Sequence, residues 1–291
     1  MIKFWDVRIP PLTGREKRKA YIYVPDSYSE NLDLRYPVLY MFDGHNVFFD
    51  SHATYDKSWG MMEYLEKTQT QLIVAAVECN HSPDHGRLKE YSPYDFNNGE
   101  YGAIKGLGET TLRWFVNKFK PFIDKKYPTI PEREFTFIGG SSMGGLMSLY
   151  ALFKYNDVFS AALSMSPSIW VAPIKLTTLI NNTEIDPVTD LYIDCGESEV
   201  SSLHDKLNLY YDIIDVLNRK GVCVTHRMVP NGTHCEASWE KQLEFAIPAL
   251  MYRTNRLEEQ IAASAEADAD NFADDYDEDN YDANFDFIEV D

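Results

Sequence analysis

The chain has 291 residues, of which 44% are hydrophobic and 25% are charged, and its formal net charge is −19. Its Gly, Pro and Cys contents are ordinary, which excludes a collagen-like, a wholly disordered and a disulfide-stapled chain. The charge is uneven, because residues 258–291 hold 14 of the 46 acidic residues and neither Lys nor Arg. We expect a folded domain over residues 1–257 and a disordered acidic tail over residues 258–291. The alternative is that the aromatic residues of the tail dock on the domain or on a partner.

Short β-branched or aromatic segments alternate with longer helical patterns along residues 1–257. The predicted strands are Tyr21–Val24, Val38–Phe42, Leu72–Val77, Phe135–Ile138, Ala161–Met165, Leu191–Cys195 and Cys223–Val229. The predicted helices are Trp59–Lys67, Leu107–Lys125, Met143–Tyr155, Leu203–Lys220 and Ala237–Tyr252. The stretch Cys79–Lys105 is rich in Asn, Pro, Gly and Tyr and is predicted to be a long loop of the kind that often carries binding function. The alternation predicts an α/β fold, with a mostly parallel central sheet and helices on both faces.

The most informative stretch joins a predicted strand to a predicted helix. It reads Gly140-Ser141-Ser142-Met143-Gly144, a G-x-S-x-G pattern in the strand–turn–helix context that this motif requires. Centring the pattern on Ser141 would put Met143 where a Gly is needed, so Ser142 is the predicted nucleophile. A helix that begins just after Ser142 also directs backbone N–H groups toward an oxyanion formed there.

A serine nucleophile requires a base and an acid that orients the base, and in α/β-hydrolases the chain order is Ser, acid, His. His234 lies in a turn-rich loop after the last predicted strand and just before a helix, so it is the predicted base. The acid is expected in Gly196-Glu197-Ser198-Glu199, directly after a strand. Glu199 is favoured over Glu197, because its position three residues after the strand gives its long side chain room to turn back toward the histidine.

Further segments extend the pattern along almost the whole of residues 1–257. They are Arg35–Met41, Asp43–Phe48, Ser58–Gly60, Arg87–Pro93, Gly140–Gly145, Phe159–Trp170 and Gly232–His234. With these segments the chain resembles the esterase family of the α/β-hydrolase superfamily that contains the esterase D-like, feruloyl and siderophore esterases. The resemblance implies a Ser-acid-His hydrolase whose site lies at the C-terminal ends of the strands. Several relatives have Asp where this chain has Glu199, which leaves Glu197 as the second choice.

The resemblance also implies the groups that surround the reacting ester. The loop Asp43-Gly44-His45 is similar to the one that supplies an oxyanion donor, so the backbone amides of His45 and Met143 are expected to bind the oxyanion. An ordinary tight turn at Asp43-Gly44 is the alternative.

Four residues are expected near the substrate because they lie in segments that approach the pocket in relatives. They are Asp43, Gly44, Arg87 and Trp170. A structural ion pair for Arg87 and a core position for Trp170 are the alternatives.

The sequence predicts neither a metal nor a cofactor. Cys223, His226, His234 and Cys235 are close in sequence, but no HExxH or CxxC spacing occurs, and a strand would point Cys223 and His226 to opposite faces. Lys and Arg form no cluster, so nucleic acid is not an expected partner. The sequence contains no run of about 18 consecutive apolar residues, so a membrane-spanning helix is not expected. The N-terminal residues do not resemble a signal peptide, so we expect a cytoplasmic protein with reduced cysteines.

These observations predict a serine carboxylesterase that hydrolyses a small-molecule ester through an acyl-enzyme, with Ser142, His234 and Glu199 as the triad. An acyltransferase that uses the same triad is the first alternative, because an alcohol can replace water in the second half of the reaction. A hydrolase fold that serves as a binding module without catalysis is the second alternative.

Overall fold

A computed structural model describes residues 1–200 and 204–255, without the side chains of residues 204–206, and the predicted acidic tail lies outside this range. Within it the strands are β1 (Ile2–Arg8), β2 (Lys17–Tyr23), β3 (Val38–Met41), β4 (Ile73–Val77), β5 (Phe96–Asn98), β6 (Gly102–Ile104), β7 (Thr136–Ser141), β8 (Ala161–Met165), β9 (Asp190–Gly196) and β10 (Cys223–Val229). Eight of them form one sheet in the order β1-β2-β4-β3-β7-β8-β9-β10. Strand β2 is antiparallel to both neighbours, and the remaining pairs are parallel.

The helices of the described residues lie between and after these strands. They are α1 (Pro10–Thr13), α2 (Ser27–Glu30), α3 (Met61–Thr68), α4 (Gly86–Glu90), α5 (Gly108–Trp114), α6 (Lys120–Lys126), α7 (Met143–Lys154), α8 (Pro173–Asn182), α9 (Glu197–Val200), α10 (His204–Lys220) and α11 (Glu236–Glu240). A π-helical turn, Phe115–Phe119, joins α5 to α6, and residues 243–250 are helical as well. The prediction of a mostly parallel sheet surrounded by helices is confirmed. Each of these helices is too short or too polar to cross a membrane.

Some elements differ from the predictions for local reasons. Strand β1 was not predicted, and its mixture of half-buried and exposed residues suits the edge of the sheet. The predicted loop Cys79–Lys105 contains α4 and the β5–β6 hairpin, whose strands are too short to show a periodic pattern. Helix α8 was also missed. The predicted helix Ala237–Tyr252 is interrupted at residues 241–242, where the Gln242 amide bonds the Trp239 carbonyl in a tight turn.

Tight packing in the core fixes the C-terminal ends of the central strands. Every residue of β4 is buried, as is every residue of α7 from Met143 to Phe153. Burying one large apolar side chain stabilises the fold by about 1.5–3 kcal/mol, so the packing of α7 against β7 and β8 resists movement. The loops that follow β3, β4, β7, β8 and β9 begin at the same edge of the sheet, where ligands of α/β proteins bind.

Candidate active site

Ser142 occupies a sharp turn between β7 and α7. Its backbone angles are φ 58° and ψ −117°, a conformation that non-glycine residues rarely adopt. The turn is tight because a Cβ on Gly140 would lie 2.9 Å from the Gly144 carbonyl carbon, and one on Gly145 would lie 2.8 Å from the Met165 carbonyl oxygen. The small residues of the motif are therefore needed for close backbone contact, as the G-x-S-x-G pattern predicts.

The hydroxyl of Ser142 faces a cleft of about 970 Å³ that His234 and Glu199 also line. Its oxygen lies 3.4 Å from the hydroxyl oxygen of Ser168, which follows β8. Among the described residues, Ser142 forms no hydrogen bond to His234. Catalytic hydrogen bonds are often loose in proteins without substrate, so this geometry is compatible with a base that engages the serine when an ester binds.

His234 is oriented by Glu199. Nδ1 of His234 lies 2.6 Å from Oε2 of Glu199, whose other oxygen accepts hydrogen bonds from the Ser166 hydroxyl at 2.8 Å and the Gly196 amide at 3.0 Å. Burial raises the pKa of Glu199, but these hydrogen bonds and the nearby imidazole outweigh it and hold the pKa below its usual range. The carboxylate therefore stays ionised beside the histidine.

The sequence analysis did not identify two residues that complete this arrangement. The indole N–H of Trp239 donates to the Ser166 hydroxyl oxygen at 3.0 Å, and the Trp239 ring meets the His234 ring edge to face at 5.1 Å. The Ser166 hydroxyl thus accepts a hydrogen bond from the Trp239 indole and donates one to the Glu199 carboxylate. His234 is held by Glu199 on one side and by the Trp239 ring on another. The position of Ser166 directly after β8, at the edge where the nucleophile lies, is the signal that could have indicated it.

Two other carboxylates near β9 have different environments. Glu197 accepts a hydrogen bond from the Asn231 amide at 3.2 Å and makes no contact with His234 among the described residues. Asp194 is buried inside β9, where its oxygens accept from the Ser166 amide at 2.9 Å and the Tyr192 hydroxyl at 3.3 Å. Burial raises the pKa of Asp194 to about 7. The structure brings Glu199, and not Glu197, to the histidine.

The loop after β3 holds Arg87 in place. The guanidinium of Arg87 donates to both oxygens of Asp43, at 2.8 and 2.7 Å, and lies over the Tyr91 ring at 5.4 Å from its centre. Burial raises the pKa of Asp43, but the Arg87 charge outweighs it and keeps that pKa low. Gly44 packs against the end of β4, since a Cβ there would lie 2.8 Å from the Val77 nitrogen. Arg87 lines the cleft, whereas Asp43 and Gly44 are buried behind its wall.

The two expected oxyanion donors lie at the cleft beside the serine. Met143 is the first residue of α7, so its amide has no carbonyl one turn earlier to bond. His45 lies in the 3₁₀ turn Gly44–Asn46, which follows Asp43 in the left-handed region. The His45 side chain is buried, and burial lowers its pKa despite the nearby Asp43 carboxylate. Both His45 and Met143 line the cleft with Ser142.

Aromatic residues form another part of the cleft. Trp170 stacks on Tyr101 with ring centres 6.5 Å apart, and Phe96 meets it edge to face at 5.7 Å. These partners come from the β5–β6 hairpin, which the sequence analysis had treated as loop. Trp170 is therefore a wall residue held by the hairpin, and it also lines the cleft.

The fold and the Ser142 turn define the chain as an α/β-hydrolase. The model of the family described as "Putative esterase" matches residues 13–250, so the chain belongs to that family, and it is a carboxylic ester hydrolase, as the sequence predicted. The predicted resemblance to feruloyl and siderophore esterases is confirmed by this match and by the structures similar to the chain.

Similar proteins extend over most of the chain. The chain is 23% identical to ferri-bacillibactin esterase BesA of Bacillus subtilis (strain 168) over 83% of this chain and 85% of BesA. It is 26% identical to protein YbbA of the same organism over 53% of this chain, and that match spans 58% of YbbA. An IroE-like serine hydrolase of Shewanella oneidensis has a similar structure, with a TM-score of 0.65 and 20% identity over 85% of this chain and 78% of that one. A ferulic acid esterase has a similar structure with a TM-score of 0.60 and 19% identity, over 86% of this chain and 97% of that one.

Proposed function

We propose that the chain is a serine carboxylesterase that hydrolyses a small-molecule ester through an acyl-enzyme, with Ser142 as nucleophile, His234 as base and Glu199 as the orienting acid. The observation that carries the proposal is the 2.6 Å contact between His234 Nδ1 and Glu199, in the cleft that also exposes Ser142. The same arrangement of roles is found in serine hydrolases of unrelated folds. A cytoplasmic location, expected from the sequence, is kept as part of the proposal.

In the acylation half-reaction, the Ser142 oxygen bonds to the ester carbonyl carbon while its proton passes to Nε2 of His234. The carbonyl oxygen becomes an oxyanion that the amides of His45 and Met143 stabilise. One such donor is worth about 3 kcal/mol of barrier lowering when it is aimed at the developing charge. The intermediate then expels the alcohol, which takes the proton from His234, and leaves an acyl group on Ser142.

In the deacylation half-reaction, water gives its proton to His234 and attacks the acyl carbon, and the acid leaves as Ser142 regains a proton. Glu199 stabilises the imidazolium in both halves, because its lowered pKa keeps it negative where the positive charge forms. Its hydrogen bond to Nδ1 also leaves Nε2 of His234 for the serine. If an alcohol replaces water in this half, the product is a new ester, so product analysis with an added alcohol separates a hydrolase from an acyltransferase.

The test is hydrolysis of a p-nitrophenyl ester series by wild type, Ser142→Ala and the matched control Ser141→Ala. We expect Ser142→Ala to lose at least about 10³-fold in kcat, because the remaining site can only bind and polarise the ester. A serine-directed phosphonate, read by mass spectrometry, should label Ser142 in wild type and in Ser141→Ala. Wild-type turnover by folded Ser142→Ala would overturn the proposal. Ferulate and siderophore esters belong in the next panel, because similar proteins carry those names.

A further inference from the structure

Three potential metal ligands lie together on the wall of the cleft that the loops after β3 and β4 form. One donor atom from each of His45, Cys79 and His81 lies within 4.8 Å of the others, and all three residues line the cleft. The rings of His45 and His81 are 4.7 Å apart, and the Cys79 sulfur is 3.9 Å from Nδ1 of His81. The proposed ester hydrolysis uses none of these three side chains.

The hydrogen bonds around His45 favour one assignment of the proton to its ring nitrogens. The Thr54 hydroxyl donates to Oδ1 of Asn46 at 3.3 Å, and the Asn46 amide group donates to Glu236 at 2.9 Å. With the Thr54 hydrogen directed at Asn46, the Thr54 oxygen, 3.1 Å from Nε2 of His45, accepts a hydrogen bond from that nitrogen. Nδ1 is then left with an unprotonated lone pair.

This lone pair of His45 has no partner in the part of the chain that the structure describes. Nδ1 is buried without a hydrogen bond, and the whole residue is only 5% exposed. A buried acceptor without a donor is unfavourable, and such groups call for a bound water or ion. A ring nitrogen that is oriented by a hydrogen bond from the other nitrogen is the usual form of a metal-binding histidine.

We propose that His45, Cys79 and His81 bind one Zn²⁺ ion and that zinc at this site inhibits the esterase. Two imidazoles and a thiolate suit zinc, and they do not suit the hard ions Mg²⁺ and Ca²⁺. Nδ1 of His45, the Cys79 sulfur and one ring nitrogen of His81 are the protein ligands, and water takes the fourth position. Binding releases the Cys79 thiol proton to solvent. The sequence analysis expected no metal, because it searched for HExxH and CxxC spacings, and His45 lies far along the chain from Cys79 and His81.

The inhibitory effect follows from where the ligands lie and rests on the proposed function. Zinc bonds of about 2.0–2.3 Å bring tetrahedral ligand atoms to roughly 3.5 Å from one another, so the three side chains must move together from their present spacing. His45 supplies the proposed oxyanion amide, and this movement shifts the turn that carries the amide. The metal also occupies part of the cleft that Arg87 and Ser142 line.

The binding part of the proposal is tested with Co²⁺ on the metal-free full chain, without any use of activity. We expect one equivalent of Co²⁺ to produce a thiolate-to-metal absorption band and the visible bands of a tetrahedral ion. Cys79→Ser should abolish the thiolate band. The exposed His81→Asn, which avoids any folding defect at a buried site, should weaken the affinity for Co²⁺ and Zn²⁺ more than tenfold. The matched control is His85→Asn, an exposed histidine of the same cleft outside the cluster.

A thiolate band that persists in Cys79→Ser, or equal affinity in wild type and His81→Asn, would overturn the site. For the regulatory part, zinc should lower wild-type ester hydrolysis at least tenfold, a chelator should restore it, and His81→Asn should resist zinc. Equal inhibition of both proteins would mean that zinc acts elsewhere, for instance on His234. If Ser142 is not the nucleophile, the cobalt spectrum still appears, so failure of the proposed function is distinguishable from failure of the metal site.

Discussion

The cleft has two walls that differ in how their polar groups are held. On the triad wall, Ser142, Glu199 and His234 come after β7, β9 and β10 in the chain, and His234 is nearly half exposed, with 45% of its side chain accessible. On the other wall, formed by the loops after β3 and β4, Asp43 is buried and binds Arg87 through two hydrogen bonds. Proton transfer requires groups that can change partners, whereas substrate orientation requires groups that cannot. We therefore expect changes on the triad wall to lower kcat and changes on the other wall to affect KM and stability.

The sharpest test of the triad wall compares two glutamates that lie two residues apart. Glu199→Gln should lower kcat about 10²–10⁴-fold, because an amide cannot stabilise the imidazolium and favours the wrong tautomer of His234. Glu197→Gln should stay within about threefold of wild type, since within the described part of the chain Glu197 accepts a hydrogen bond only from the Asn231 backbone amide. Steady-state kinetics on one ester measure both variants. Equal losses in the two would mean that neither carboxylate orients the base.

The other wall is tested by removing the ion pair between the partly exposed Arg87 and the buried Asp43. Arg87→Met leaves the Asp43 carboxylate buried and unpaired, which should cost about 3 kcal/mol of unfolding free energy and raise KM more than it lowers kcat. Arg113→Met is the matched control, because the Arg113 pair with Glu109 is exposed and should contribute less than about 1 kcal/mol. Urea denaturation measures the stability of both variants. A kcat loss as large as that of Glu199→Gln would show that the two walls are not separate in function.

A smaller loss of activity is expected from removing the Ser166 hydroxyl, which donates a hydrogen bond to Glu199. Ser166→Ala removes one of the hydrogen bonds to Glu199 and leaves the Trp239 indole N–H without its acceptor. Loss of a hydrogen bond to a charged group costs about 1.5–3 kcal/mol, so we expect kcat to fall about tenfold as the carboxylate becomes less well fixed. Ser166→Thr, which restores the hydroxyl, should recover part of the activity. If Ser166→Ala were as active as wild type, the support would be structural only.

The positions of the residues on the triad wall follow more directly from the sequence than those on the other wall, for physical reasons. Ser142 directly follows β7 and His234 lies in the short loop between β10 and α11, so local pattern and chain order suffice to place them. The choice between Glu197 and Glu199 depends on α9, whose successive residues are about 100° apart around the helix axis, so residues two apart face different sides. The cluster of His45, Cys79 and His81 depends on the parallel pairing of β3 with β4, which no short segment of sequence shows.

The last comparison contrasts Asp194 with Glu199 through the pH dependence of stability. The pKa of Glu199 lies below its ordinary value of 4.5, so its stabilising contribution is present above about pH 4.5 and is lost as the pH falls through its folded-state pKa. The pKa of Asp194 is raised from 3.8 to about 7, so the unfolded chain ionises first and stability falls as the pH rises from about 4 to 7. Asp194→Asn should therefore become more stable than wild type as the pH rises over that range. Glu199→Gln should be less stable than wild type at neutral pH, and this difference should disappear only in acid. Urea denaturation of both variants between about pH 2.5 and pH 8 measures the difference, and parallel profiles would contradict the opposite environments of the two carboxyls.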